Sequence, residues 1–350
     1  MALNSQDTMN KAMNKDMRKL TITILFLTTS LIGAYTLYRY LLFPNRPDIR
    51  NIALSIQIKR LENSLFKLQT RKEIATFLED NQLVAKEFLD IQTDADKEKV
   101  IDQLHKMVQD SAIQALYKEV QPAFKDLDKL RKQLEQAFKC LKYYYPSFEA
   151  PEIVTLMTGL GSDLYVSKNL IVIGLDYFLG EKATVRPINM PEYILRTYEP
   201  SHIAPKVILL FSQFFNLDNP KDHTLLHDMI YAGKAYYFTK TLLPDVEDSV
   251  ILGYTSAQLI ETEKHQKIVW QHFIDRELFY ETNHMVKKKY LGPRPFTAEI
   301  GPGCPGNIGG WLGWQIVKRY IKNNPNIQLP TLMGSTDMQN LFMEAKYKPK

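Results

Sequence analysis

The chain has 350 residues, 45% of them hydrophobic and 24% charged, which supplies a buried core and excludes general disorder. Its formal charge of +5 is mild, and basic residues are interleaved with acidic ones, so nothing supports nucleic-acid binding. Two cysteines, Cys140 and Cys304, lie far apart without CxxC spacing; they exclude a disulfide framework and a zinc ribbon and leave either one long-range bridge or two free thiols.

Residues 20–38 read LTITILFLTTSLIGAYTLY without a charge, and Leu41, Leu42 and Phe43 extend the run past Arg39. A hydrocarbon core of roughly 30 Å needs about 20 helical residues, so this length predicts a transmembrane helix over 20–43. Tyr35, Tyr38 and Tyr40 suit a headgroup layer, and Arg39 can snorkel outward from that end. Lys11, Lys15, Arg18 and Lys19 face only Asp16 among acids, which places a basic tail, 1–19, in the cytoplasm and the rest of the chain outside, with membrane lipid as a partner of the helix. The rival is a cleaved signal peptide, with Ile32-Gly33-Ala34 as a poor cleavage site. Pro44-Asn45-Arg46-Pro47-Asp48 begins a stiff linker, 44–51, because each proline fixes φ and stops a helix. One extracytoplasmic domain, 52–350, follows.

Within that domain, Leu54, Ile56 and Ile58 alternate and then give way to helical spacing, predicting a short strand that leads into a helix. From 71 to 145, Ile74, Phe77, Leu78, then Val100, Ile101, Leu104, Met107 and Val108, then Leu127, Leu130, Leu134 and Leu141 recur at three- and four-residue steps, the mark of amphipathic helices. Thr93-Asp94-Ala95-Asp96 supplies an N-cap between two of them. After Pro146 the runs 153–157 and 170–175 are β-rich and separated by Gly159, Gly161, Ser162 and Asp163, predicting a hairpin or meander. Helical patterns return near Pro191 and continue through 207–215, 224–242, 256–281 and 308–323, so the domain is α+β and predominantly α. Gly292 to Gly310 forms one long irregular loop rich in Gly and Pro.

Few residues point to chemistry. His223 and His227 are four apart, yet Thr224 stands where a zincin helix needs the Glu of HExxH, and Asp228 is the nearest carboxylate. There is no GxSxG elbow and no phosphate loop. Asp163 and Asp176 flank the β region, where turn carboxylates are structural more often than catalytic. Trp311 and Trp314 share a helical face beside the Gly-rich loop; core packing is the simpler reading, a groove the functional one.

Several ordered segments resemble the gliding motility lipoprotein GldB family of Bacteroidetes: YYYPSFEAPEI at 143–153, IGLDYFLG at 173–180, MPEYILR at 190–196, MIYAGKAYYF at 229–238 and PGNIGGWLGWQIVKRYIKNNP at 305–325. The resemblance covers the chain from Tyr145 onward. It implies a zincin-like, peptidase-related helical domain with a small β-sheet, in which an HExxH helix precedes an EGxAxYF-like segment. The second element is present as Ala232-Gly233-Lys234-Ala235-Tyr236-Tyr237-Phe238, with Ala232 in the acidic position, and the helix at 201–215 offers only His202. The resemblance therefore implies a scaffold without hydrolysis and without a cofactor. Family members are lipoproteins, whereas no cysteine precedes Cys140, so an uncleaved helix would substitute for the lipid. The expected function is a non-catalytic envelope protein that binds other envelope or motility proteins. Lys234, Trp311, Trp314 and the loop 292–310 are its candidate contact residues, and no residue is assigned a catalytic role. The alternative is a membrane-bound zinc hydrolase using His223 and His227; a third reading is a purely structural anchor.

Overall fold

A computed structural model describes Gly33 and residues 47–349. The alternating segment ends in β1 (Ile58–Arg60), which turns directly into α1 (Leu61–Leu65). Helices α2 (Arg71–Asp80), α3 (Asp94–Gln109), α4 (Ser111–Ala123) and α5 (Asp128–Tyr144) follow, with a π-helical turn at Val84–Phe88. Thr70 with Glu73 and Thr93 with Asp96 form reciprocal capping boxes, which satisfy the free amides at the starts of α2 and α3.

Three strands come next, β2 (Glu152–Leu156), β3 (Leu164–Val166) and β4 (Leu170–Gly174), and the sheet order is β1-β2-β4-β3. β2 runs parallel to both β1 and β4, with Ile153 opposite Ile58 and Ile171, while β3 pairs antiparallel with β4. The expected hairpin is therefore β3–β4, and the two β-rich runs are parallel neighbours. The reason is burial: nearly every residue of β2 and β4 is inside, and strands covered on both faces read as continuous Val/Ile runs. Asp176, just past β4, is buried and accepts N–H bonds from Thr158 at 3.1 Å and Leu160 at 2.7 Å, so it holds the β2–β3 loop. Asp163 accepts the Tyr198 hydroxyl at 2.6 Å. Each carboxylate is occupied separately.

The remaining chain is helical: α6 (Glu192–Leu195), α7 (Ile203–Phe211), α8 (Leu225–Leu242), α9 (Asp248–Leu252), α10 (Ser256–Lys264), α11 (Gln266–Asp275), α12 (His284–Leu291), α13 (Ile308–Asn323), α14 (Leu329–Gly334) and α15 (Met338–Ala345). α8 is the central helix. It buries residues around its whole circumference, from Leu225 to Leu242, and touches α5, α7, α9, α13, α14 and α15. Its tightest neighbour is α13, because Gly233 and Gly313 meet at their crossing. A Cβ on Gly313 would overlap the Met229 carbonyl, and one on Gly233 would overlap the backbone of Gly313. Residues 49–350 pack as one unit.

The α+β, mostly helical character is what the structure shows, but the transmembrane helix expected ahead of a zincin-like domain is corrected. Among the described residues no helix is long and apolar enough to cross a membrane. α8 has the length, yet Asp228, Lys234 and Lys240 interrupt it, and the 16 residues of α13 rise only about 24 Å. The span read at 20–43 and the basic tail before it lie outside the described residues, Gly33 apart.

The α8–α13 contact gives a direct test. Gly313→Val forces a branched side chain into the Met229 carbonyl and destabilises the fold by about 3 kcal/mol. Gly334→Ala, where nothing lies within 4 Å, changes stability by no more than about 1 kcal/mol. Urea unfolding of both variants measures the contrast, and equal midpoints would refute the crossing as described.

Candidate functional site

A cleft of about 270 Å³ opens where α6, α7, α8, α9 and the loop 293–307 converge. Each wall has a local cause. α6 follows Pro191 and brings Tyr193 and Ile194 to the rim, and Arg196 is its C-cap residue. A turn at Pro200–His202 leads into α7, whose second turn carries Lys206. α9 ends at Gly253, which adopts φ of 71°, and the chain then presents Tyr254. The loop is pinned at three points: Tyr193 donates to the Pro293 carbonyl at 3.2 Å, Tyr254 to the Gly306 carbonyl at 2.9 Å, and Asn307 Nδ2 to the Tyr236 hydroxyl at 2.7 Å. Asn307 also begins α13, so the partial positive charge of that helix end faces the same region.

Four basic residues line the cleft, Arg196, His202, Lys206 and Arg294, and the lining includes no carboxylate. Arg294 is matched by Glu299, 2.9 Å away. Neither Arg196 nor Lys206 forms an ion pair among the described residues. Arg196 gives one Nη2 bond to Gln258 Oε1 at 2.9 Å, and its Nε is shut off from solvent with no partner. Lys206 Nζ lies 4.2 Å from the centre of the Tyr198 ring. Burial pulls the Lys206 pKa down, an effect that Asp163 opposes. Burial, then the charges of Lys206 and Arg196, push the His202 imidazole down to about 4. His202 is thus neutral near pH 7, and the cleft carries positive charge from Arg196 and Lys206, neither of which has an ion pair among the described residues, although Asp163 acts on Lys206 at longer range. Such a surface attracts and holds an anion.

The sequence-derived candidates sit elsewhere. Lys234 is fully buried, its ammonium held by the carbonyls of Ser335 at 2.6 Å and Leu217 at 3.4 Å, and burial lowers its pKa to about 8. It fastens α8 to the end of α14. Trp311 and Trp314 are also buried; Trp314 packs against Tyr236, with ring centres 5.7 Å apart, and Lys318 Nζ lies 3.8 Å from the centre of the Trp314 ring. The expected aromatic groove is therefore a supporting layer beneath the cleft. Of the loop 292–310, Pro293, Arg294, Pro295, Pro305, Gly306 and Asn307 do reach the cleft.

The metal alternative fails on its donors. Thr224 is the N-cap of α8, so His223 precedes the helix, is exposed, and shares no helical face with His227. His227 has Asp228 3.3 Å from Nδ1, and Lys287 holds the second oxygen of Asp228 at 2.5 Å; Asp218 lies 2.9 Å from Nε2 but outside hydrogen-bond geometry, so Nε2 is buried without a hydrogen-bond partner. On α7 the spacing of HExxH runs from His202 to Lys206, which puts buried Ile203 in the place of the base and an ammonium in the place of the second ligand. Among the described residues no cluster of three His, Cys, Asp or Glu is placed to hold a metal ion. The residues present do not fit a zinc centre. Cys140 and Cys304 are free, buried thiols with pKa values raised by burial to about 12 and about 11.

Sequence reading reached Arg294 only as part of the loop 292–310 and missed Arg196 and Lys206, although one signal was visible. Lys206 is the lone charge in the apolar stretch IAPKVILLF, and a charge isolated in such a helix faces either a specific partner or a cavity.

The two histidine environments predict opposite titrations. His202 stays neutral until about pH 4, so from about pH 6.5 downward the unfolded chain takes up a proton that the folded chain refuses, and stability falls with falling pH. His227 is raised above 6.5, first by its hydrogen bond to Asp228; its contribution is present below that value and is lost as pH rises through the folded pKa. NMR titration of the imidazole carbons checks both, and coincident midpoints would contradict the two environments.

The chain matches the family described as gliding motility protein GldB over residues 43–349. No curated protein and no solved structure matches it. The matched region takes in every element that walls the cleft. With most of its length covered, the chain belongs to the GldB family of gliding motility proteins.

Proposed function

We propose that this GldB-family domain is a non-catalytic recognition component of the gliding machinery at the cell envelope, and that its basic cleft grips an anionic group on an envelope or motility protein. The observation that carries this reading is the pair Arg196 and Lys206, two cations without ion pairs in a cleft without a lining carboxylate. Leaving such charges unmatched and partly desolvated costs stability unless a ligand offsets it, which is the usual signature of a binding site. The lipoprotein designation of the family supports the envelope location. In this reading α7 and α8 descend from a peptidase-like arrangement in which Ile203, Lys206 and Ala232 have replaced the base and the acidic or imidazole ligands. The cleft then retains its shape and gains positive charge.

Two measurements test the proposal. Elemental analysis of the purified full chain returns zinc well below one equivalent, and stoichiometric zinc lost in His227→Ala would revive the hydrolase. In a gliding host that lacks its own copy, the double variant Arg196→Ala/Lys206→Ala fails to restore colony spreading while accumulating normally. His223→Ala, exposed and outside the cleft, restores it. Full spreading by the double variant would remove the cleft from the function.

A further inference from the structure

The chemistry of the cleft narrows its ligand. We propose that the cleft binds the C-terminal residue of a peptide chain, its carboxylate between Arg196 and Lys206 and its apolar side chain against Val250, Ile251, Leu252 and Leu291. This rests on the reading of the cleft as an anion site and adds the identity of the anion.

Four observations lead there. The charge is small, because Glu299 already neutralises Arg294 and only Arg196 and Lys206 remain without ion pairs, so the cleft suits one anionic group and not a cluster of phosphates. Arg196 has donors to spare: Nη2 gives one bond to Gln258 and Nε is sealed from the cleft, which leaves the remaining guanidinium N–H groups and the Lys206 ammonium to donate to the two oxygens of a carboxylate. The wall beside these cations is apolar, so the ligand carries a hydrocarbon group next to its charge. Finally, the absence of a lining carboxylate leaves nothing to receive a free ammonium, which disfavours a zwitterionic amino acid and favours a carboxylate whose nitrogen is already an amide. A volume of about 270 Å³ admits one or two residues and falls just under the range of pockets for larger ligands, roughly 300–1,000 Å³. His202, neutral at pH 7, adds a hydrogen-bonding group without adding charge. Capture of chain ends by cations and backbone amides is an established mode of peptide recognition.

Calorimetric titration of the full chain with N-acetyl-Ala-Ala-Leu, its C-terminal amide, free leucine and inorganic phosphate tests the inference. The free acid is expected to bind at least tenfold tighter than the amide and than leucine. Arg196→Gln and Lys206→Met, each checked for an unchanged thermal transition, reduce the acid-to-amide ratio towards one. Because that ratio is measured first on the unaltered protein, a variant that does not fold leaves the test intact. Equal binding of acid and amide overturns the inference. Binding of phosphate in preference to the peptide acid, abolished in Arg196→Gln, overturns the peptide terminus and leaves the anion cleft standing. No Arg196-dependent binding of any of these anions overturns both.

Discussion

The close crossing of α8 and α13 is the contact on which the cleft depends. Two helices approach this nearly only where side chains are absent at the crossing, and Gly233 and Gly313 provide that absence on both sides. Once the axes are fixed, Tyr236 on α8 comes within 2.7 Å of Asn307 at the start of α13, and the loop before it is drawn over the cleft. Gly306, where a Cβ would overlap the Arg294 carbonyl, lets that loop fold back on itself. Trp311 and Trp314 fill the space behind, so a single crossing sets the floor, one wall and the loop position together.

Two lysines in apolar helices show how the same residue type serves opposite ends. Lys234 spends its donors on carbonyls that end other elements, and its burial is repaid by fastening α14 to the central helix. Lys206, by contrast, has the Tyr198 ring and no ion pair among the described residues, with Asp163 acting on it only at longer range. Burial lowers the pKa of both, so the shift alone does not separate a structural cation from a binding one. What separates them is whether oxygen atoms of the chain already surround the ammonium.

The acidic residues follow the same division. Asp163 and Asp176 are taken up by Tyr198 and by the amides of the β2–β3 loop, and Asp218 and Asp228 flank His227. The fold thus places these carboxylates on structural duties outside the cleft lining, with Asp163 near enough to act on Lys206. Glu299 is the nearby exception, and it answers Arg294 alone among the four basic lining residues. The positive character of the cleft comes from this distribution, since the overall charge of +5 is too small to produce it.

Much of the fold was legible in local pattern. Three- and four-residue spacing marked α2, α3 and α5, the Thr93 box marked the start of α3, and Val/Ile runs marked β2 and β4, because helix caps and apolar periodicity act within a few residues. The direction of strand pairing was not legible: β1 and β2 are joined through five helices, and no local signal encodes which strand lies beside which. The candidate site divides the same way. The loop 292–310 was visible from Gly and Pro, while Lys234, Trp311 and Trp314 were read as contacts and proved to be interior. Arg196, His202, Lys206 and Arg294 come from separate segments, and their common cleft exists only once α7, α8 and α13 have packed. The sequence by itself determined the longer helices, the strands β1, β2 and β4 and the family, since these rest on neighbouring residues and ordered motifs. Tertiary structure alone decided which charges found partners and which were left facing a cavity, because pairing in space depends on how distant segments cross.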